Sequence, residues 1–264
     1  MRRGLDTYGC VTYAVVMATG SGRPASNAAR YTSAPAETSP ATALIELIKP
    51  KMRGWLHLGA APTAALAGLL LIILAPARLR IPITVYAAST VLLFTISATY
   101  HRVNWNPRAR AIMQRVDHSA IFVLIAGSFT AVAASMVTGN SGTVMLTAAW
   151  VAAAIGILGR LFWVNAPRWL FVPAYILFGV SAVFYAPAII HNGGVAAFIL
   201  IVVGGVLYIA GAVIFALKRP DPSPRLFGFH EVFHSFTLGG YISHYVAVLL
   251  AVTGATVLSE PPRE

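Results

Sequence analysis

Two histidines four residues apart, His230 and His234, stand at the head of the last hydrophobic segment of the chain. On a helix this spacing places both imidazoles on the same face, where they can reach one divalent metal ion. Glu231 between them completes the pattern His-Glu-x-x-His, which in zinc metalloproteases supplies two ligands and a general base. The pattern is short and arises readily by chance. It therefore predicts a metal site only if other parts of the chain complete it.

The composition is that of a membrane protein. Of the 264 residues, 58% are hydrophobic and only 10% are charged, whereas soluble domains have about 25% charged residues. The net charge of +11 could indicate nucleic-acid binding, but the basic residues are dispersed in short loops, which is typical of membrane topology signals. The single cysteine, Cys10, excludes an intramolecular disulfide and a cysteine-based zinc module. We therefore expect membrane lipids and not nucleic acid as partners, and a metal held by histidine and carboxylate.

Seven apolar segments follow a polar N-terminal region. Residues 1–45 are rich in Ala, Ser, Thr and Gly, and we predict that they form a disordered tail. Each later segment is close to the ~20 residues that cross a ~30 Å hydrocarbon layer as a helix. The predicted spans are approximately 54–75, 81–103, 112–136, 143–162, 169–190, 194–217 and 228–255. The predicted fold is thus all-α, a seven-transmembrane helix bundle over residues 46–257, followed by a short exterior tail, 258–264.

The lysines and arginines set the expected orientation of the bundle. Sixteen of them lie before the first span or near the second, fourth and sixth loops, and only Arg78, Arg80 and Arg263 lie on the opposite side. Because basic residues concentrate on the cytoplasmic side, we predict a cytoplasmic N-terminus and a C-terminus outside.

Polar residues of three distant segments converge under this topology. His101 ends the second span, Asp117 lies in the first turns of the third, and His230 and His234 begin the seventh, all at the cytoplasmic level. Three neutral imidazoles and one exchangeable position make an open, tetrahedral zinc site, and zinc in such a site activates water near neutral pH. Asp117 is a candidate to orient this water, accept its proton or bind the metal. Ser97, one turn before His101, is a candidate donor to the water or to a substrate carbonyl.

Simpler explanations exist for each histidine taken alone. Histidines at a membrane interface often bind backbone carbonyls, and His57, close to the cytoplasmic edge of the first span, is expected to be interfacial. His244 lies ten residues beyond His234 on nearly the same stripe, roughly 15 Å further along the helix. We expect it either to line a buried polar pocket that extends from the metal or to form an interhelical hydrogen bond.

Three motifs together resemble the haemolysin-III family, part of a wider group that contains the progestin and adiponectin receptors and, more distantly, the alkaline ceramidases. The motifs are Ser97-Ala98-Thr99-Tyr100-His101, Asp117-His118-Ser119-Ala120-Ile121-Phe122 followed by Ala126-Gly127, and His230-Glu231-Val232-Phe233-His234. The resemblance covers about residues 47–255. It implies a seven-helix bundle of the bacterial plasma membrane with a cytoplasm-facing zinc ion. It also implies that His101, His230 and His234 are the ligands, that Asp117 and Ser97 lie beside the metal-bound water, and that the position of Glu231 is not a ligand.

These observations leave several functional hypotheses open. The first is a membrane-embedded zinc hydrolase that attacks an amide or ester carbonyl of a lipid-like substrate, with Asp117 as base and proton shuttle and Ser97 as positioning donor. The second is a pore-forming or membrane-perturbing protein, the activity from which the haemolysin name derives. The third is a sensor or receptor in which zinc is structural and clamps spans 2, 3 and 7. A zinc protease with Glu231 as general base is the least supported, because His101 and Asp117 already complete the site.

Overall fold

The computed structural model describes residues 50–163 and 168–257, and these residues fold into α-helices without a β-strand. The predicted all-α fold is therefore confirmed for this part of the chain. The predicted tails, residues 1–45 and 258–264, lie outside the described residues. The helices are α1 (Trp55–Leu74), α2 (Arg80–Arg102), α3 (Pro107–Met136), α4 (Gly139–Phe162), α5 (Arg168–Val180), α6 (Ala186–Leu217) and α7 (Phe229–Val257), with short 3₁₀ helices at Ala77–Leu79 and Ser181–Tyr185.

Local sequence explains where several helices begin. Asn106 caps α3, because its side-chain oxygen accepts a 2.9 Å hydrogen bond from the backbone N–H of Ala109, and Pro107 occupies the first helical position. At the start of α7, the Asp221 carboxylate accepts a 2.8 Å hydrogen bond from the backbone N–H of Phe229. The start of α4 differs from the prediction: residues 139–142, which precede the predicted span 143–162, are already helical. A connection of only two residues suffices there because Gly139 adopts a φ of 72°.

The exterior of the bundle is apolar, as a lipid environment requires. Six stretches of the described residues are long and apolar enough to cross a membrane: Trp55–Leu74, Ala77–Arg102, Pro107–Met136, Gly139–Phe162, Leu170–Leu217 and Phe229–Gly254. Large apolar side chains, including Leu66, Ile155 and Phe184, are exposed on the outside of these helices. Because a water-soluble surface would not tolerate such continuous apolar faces, the chain is a multi-pass integral membrane protein.

The stretch Leu170–Leu217 is unusual, because its 48 residues are more than one crossing requires. Its helix geometry is interrupted at Gly194, where φ is 82° and ψ is 161°. Beside this interruption, the Asn192 amide donates a 2.9 Å hydrogen bond to the backbone carbonyl of Met136, the last residue of α3. The chain therefore breaks next to the end of α3 that is remote from Asp117.

The centre of the bundle is formed around α3, whose apolar window is the most buried of the six. Tyr86 and Phe94 of α2 are fully enclosed, and Phe94 meets Tyr241 of α7 edge to face, with ring centroids 5.4 Å apart. These contacts join α2 to α7 below the turns that carry His101, His230 and His234. The helices that carry the predicted ligands are thus fixed to one another by the core.

Candidate metal centre

His101, His230 and His234 come together in one cluster. One ring nitrogen from each lies within 4.8 Å of the others, and the Nε2 atoms of His101 and His230 are 3.1 Å apart. Zinc–nitrogen bonds of about 2.0–2.1 Å place tetrahedral ligand nitrogens about 3.3 Å from each other. The three imidazoles therefore need only small rotations to bind one metal ion. The structure thus brings together the three histidines that the sequence singled out.

Two helix ends position these imidazoles. His101 lies in the last turn of α2, whereas His230 and His234 occupy successive turns at the start of α7. Their ring centroids are 4.5 Å apart, as expected for side chains at i and i+4. His101 and His234 are buried and His230 is half-buried, so the cluster is largely shielded from surrounding solvent.

Ser97 and Asp117 form a polar pair in the same cavity. Ser97 is buried one turn before His101, and its hydroxyl lies close enough to the Asp117 carboxylate of α3 to interact with it. The Asp117 side chain is 14% exposed, and the Arg160 guanidinium of α4 lies close enough for the opposite charges to attract. Asp117 is not among the side chains whose donor atoms cluster with the three histidines. The pair is thus placed beside the histidine cluster and is separate from its ligand set.

Glu231 forms contacts at the start of α7 instead of facing the histidine cluster as a general base would. Its carboxylate forms an ion pair with Arg53, and it accepts a 2.9 Å hydrogen bond from the backbone N–H of Gly228, the residue that precedes α7. This is the position at which a glutamate closes a helix N-terminus in a capping box. Because Glu231 is only 1% exposed and both carboxylate oxygens are bound, it has no free oxygen to act as a general base. The geometry favours the helix-start role over the protease interpretation.

His57 is the residue that sequence reasoning missed. It was expected at the interface, but it is 3% exposed, and its ring stacks on that of His234 with centroids 3.9 Å apart and an angle of 10° between the planes. Neither of its ring nitrogens has a hydrogen-bond partner within residues 50–163 and 168–257. A signal was available in the sequence. The first span begins at the same predicted membrane depth as His101 and His230, and His57 lies in the first turn of that span.

A cavity of about 790 Å³ connects the cluster to the interior of the bundle. Its wall at the cluster end is polar and includes Arg110, Arg115 and Arg160, and its remote wall is mostly apolar and includes Phe129, Val132, Met145 and Ile201. His244 also lines it, and its Nε2 is 3.1 Å from the carbonyl oxygen of Ile201 on α6. His244 therefore forms the interhelical contact that was one of the two alternatives, and it also lines the cavity, whose wall at this depth is mostly apolar.

Comparison with known proteins gives the family of this chain. The sequence model of the family described as Haemolysin-III related matches residues 45–245, which include all five predicted site residues. A Hemolysin-3 homolog from Bacillus subtilis (strain 168) is 28% identical over 176 residues, which cover 67% of this chain and 79% of the relative. Hemolysin-3 from Bacillus cereus is 30% identical over 169 residues, which cover 64% of this chain and 74% of the relative. Because the family match extends over most of the chain, this protein belongs to the haemolysin-III related family.

Proposed function

We propose that this protein is a zinc-dependent hydrolase that cleaves an amide or ester bond of a lipid-like substrate. The observation that carries the proposal is the presence of three clustered imidazoles, the Ser97–Asp117 pair and a largely apolar cavity in one site. A structural zinc ion is normally enclosed by four protein ligands. Three ligands with a polar pair beside them leave one position for chemistry.

The donor set fits zinc. Imidazole nitrogens suit zinc and also copper, but no thiolate or thioether is part of the cluster, and zinc alone combines tetrahedral geometry with the absence of redox chemistry. His101, His230 and His234 would hold the ion. Zinc held in this way supplies a nucleophile at neutral pH and polarises a carbonyl oxygen.

In this proposal Asp117 carries the proton transfers and Ser97 positions it. Asp117 accepts a proton from the water that adds to the carbonyl carbon, and it returns the proton to the departing nitrogen or oxygen. The C–N or C–O bond then breaks, and the products are a carboxylic acid and an amine or an alcohol. The Ser97 hydroxyl donates to Asp117 and so fixes the direction of its carboxylate. The role of Ser97 is to position, and that of Asp117 is to move the proton.

The cavity supports an amphipathic substrate. Its polar end contains the histidine cluster and Asp117, where a scissile carbonyl would lie, and its apolar part could accept a hydrocarbon chain. A volume of about 790 Å³ is within the usual range for ligand pockets, which is about 300–1,000 Å³. A substrate that partitions into lipid would reach such a site from the membrane.

Seven crossings with a cytoplasmic N-terminus are part of the proposal. The Arg160 guanidinium stacks on Phe171 of α5, which places the start of α5 near the histidine cluster, and Asn192 contacts Met136 at the remote end of α3. α6 then ends with Phe215 beside the first ligand of α7. The stretch Leu170–Leu217 would thus cross the membrane twice, with its reversal at Gly194. With the basic residues on the cytoplasmic side of the plasma membrane, the zinc site faces the cytoplasm.

Hydrolysis by the purified protein tests this proposal. The zinc-loaded wild type in detergent micelles would be incubated with ceramides, N-acyl amides and acyl esters, and fatty-acid release would be measured. Asp117→Asn, which keeps the shape of the side chain but cannot accept the proton, is the matched inactive variant. Absence of hydrolysis across this set by wild type with one zinc per chain would refute the hydrolase.

Metal analysis tests the centre itself. We expect about one zinc per wild-type chain, and loss of this zinc in the double variant His101→Ala/His234→Ala. His191→Ala removes a histidine outside the cluster and should retain the metal. Equal zinc in wild type and double variant would show that the ion is bound elsewhere.

The name of the Bacillus cereus relative favours membrane lysis as a second candidate. Leakage of a dye from liposomes distinguishes the two candidates, because pore formation does not require the imidazoles. Leakage that persists in His230→Ala and His234→Ala would favour lysis. Leakage that disappears with the metal would instead favour membrane damage through hydrolysis products.

A further inference from the structure

We propose that His57 is a positioning residue of the metal centre, which holds the ring of His234 in the orientation required for metal binding. This inference rests on the proposed metal site but does not depend on the substrate or on hydrolysis. Its starting point is the stack of the two rings, in which the centroids are 3.9 Å apart and the planes nearly parallel. No other ring contact within the histidine cluster is so close or so parallel.

His234 needs such a support. A histidine that binds a metal through one ring nitrogen usually donates its other N–H to a carboxylate, a carbonyl or water, and this bond fixes the ring. The Nδ1 atom of His234 is buried, and it finds no hydrogen-bond partner in the described part of the chain. The ring of His57 covers one face of His234 and restricts its rotation by packing instead.

The core holds His57 from its other side. Phe94 lies against His57 with ring centroids 5.0 Å apart, and Phe94 is itself fixed edge to face by Tyr241. His57 is thus packed between a ligand and a fully enclosed aromatic residue. A shift of His57 would require rearrangement of the bundle core, so the ring is a rigid support for His234.

The segment that leads into α1 is anchored to both ligand-bearing helices. Gly54, with a φ of 82°, lies so close to α2 that an added Cβ would be 2.9 Å from the Cβ of His101. Arg53 pairs with Glu231 of α7, and the backbone N–H groups of Lys51 and Met52 donate to the carbonyls of Arg225 and Leu226. These contacts determine where α1 begins, and therefore where His57 meets His234.

Two substitutions of similar size distinguish the effect of the aromatic ring from that of side-chain volume. His57→Phe keeps a flat aromatic face, whereas His57→Leu fills the space without one. Because neither nitrogen of His57 has a partner among the residues that the structure describes, neither change breaks a hydrogen bond. Both variants should retain the fold, and circular dichroism and thermal unfolding of the metal-free proteins would verify this.

The test is the affinity of the full-length protein for Co²⁺, measured by chelator competition together with the d–d absorption spectrum. We expect His57→Leu to weaken binding about 10- to 100-fold, the range found when support of a ligand is lost. His57→Phe should restore both the affinity and the spectrum of the wild type. His191→Ala is the control for loss of a histidine outside the cluster.

Three results from the variants would overturn the assignment. Wild-type affinity in His57→Leu would mean that the stack is dispensable, and equal weakening in His57→Phe would mean that the ring face is not what matters. A changed spectrum in His57→Phe would identify His57 as a ligand. Failure of the hydrolase proposal is recognised separately, because wild type would then bind Co²⁺ normally and hydrolyse nothing. A wild type that binds no Co²⁺ would overturn the metal centre and this assignment together.

Discussion

His234 and His244 lie on the same helix and line the same cavity, but their surroundings differ. His244 is bound through Nε2 to the carbonyl of Ile201, and its ring meets Tyr208 edge to face. His234 is surrounded by three other imidazoles, and one of its ring nitrogens clusters with those of His101 and His230. The ring of His244 thus has a hydrogen-bond partner on a neighbouring helix, whereas His234 belongs to a cluster of imidazoles that could hold a metal ion.

The two carboxylates near the cluster show the same contrast. Glu231 is neutralised by Arg53 and bonded to the start of α7, so its contacts are used to hold α7 against the segment before α1. Asp117 meets a hydroxyl, faces the cavity and has Arg160 in its vicinity. Residue type alone does not separate structural from chemical roles in this bundle. The two roles differ in whether neighbouring protein groups already pair with the charged and polar atoms.

The largest expected effect distinguishes His234 from His244. His234→Ala removes one of the three proposed ligands, and we expect zinc affinity to fall at least about 100-fold, with loss of the proposed activity. His244→Ala removes only a hydrogen bond to α6, so zinc affinity should remain within about threefold of wild type. Zinc content after dialysis against a graded series of chelators measures both. Equal zinc loss in the two variants would contradict the division of roles.

The next effect concerns Asp117. We expect Asp117→Asn to lower kcat about 10²- to 10⁴-fold, the usual contribution of a positioned acid or base, because an amide cannot accept the proton. The zinc content should not change, since Asp117 stands outside the ligand cluster. Steady-state kinetics and metal analysis on the same preparation are the measurements. Loss of zinc in this variant would instead indicate that Asp117 is a ligand.

Glu231→Gln tests the structural carboxylate. The glutamine can still accept the hydrogen bond from Gly228, but Arg53 loses its charged partner, and we expect unfolding to become easier by about 2–4 kcal/mol. Activity per folded, zinc-loaded molecule should be retained. Thermal unfolding in micelles would be compared with Asp221→Asn, an exposed position where the asparagine oxygen can still accept the hydrogen bond from Phe229 and the cost should be less than about 1 kcal/mol. Full stability with lost activity would revive Glu231 as the general base.

The clustering of the three proposed ligands could be predicted because the sequence indicates the depth of each residue in the membrane. The ends of the apolar segments and the positions of basic residues place His101, Asp117, His230 and His234 at one level, and residues at one level need only neighbouring helices to meet. The helical spacing of His230 and His234 adds their common face. Two local signals thus sufficed for a cluster whose members are 129 residues apart.

The neighbours of His57 could not be predicted, because the depth of a residue in the membrane does not determine which helix packs beside it. α1 is apolar on nearly all sides, as helices in lipid are, so hydrophobic periodicity does not reveal which face is buried. The ion pair of Arg53 with Glu231, 178 residues apart, has no local signal at all. The predicted spans 169–190 and 194–217 place a break close to Gly194, where the helix geometry is interrupted. The helical conformation of residues 191–193, which lie between these two predicted spans, was not predicted.

The smallest expected effect concerns the close packing around His244. A Cβ at Gly204 would lie 2.3 Å from the ring of His244 and 3.0 Å from the carbonyl oxygen of Gly240, whereas a Cβ at Gly205 would have no atom within 4 Å. We expect Gly204→Ala to destabilise the protein by about 1–3 kcal/mol, because α6 and α7 must separate. Gly205→Ala should be neutral or stabilising by up to about 1 kcal/mol, because alanine favours helix. Thermal unfolding separates the two variants, and their zinc contents should be equal, since the contact is remote from the ligands. If Gly204→Ala were as stable as Gly205→Ala, α6 and α7 would tolerate the added Cβ without separating. If Gly204→Ala lost its zinc, the packing around His244 would not be independent of the metal centre.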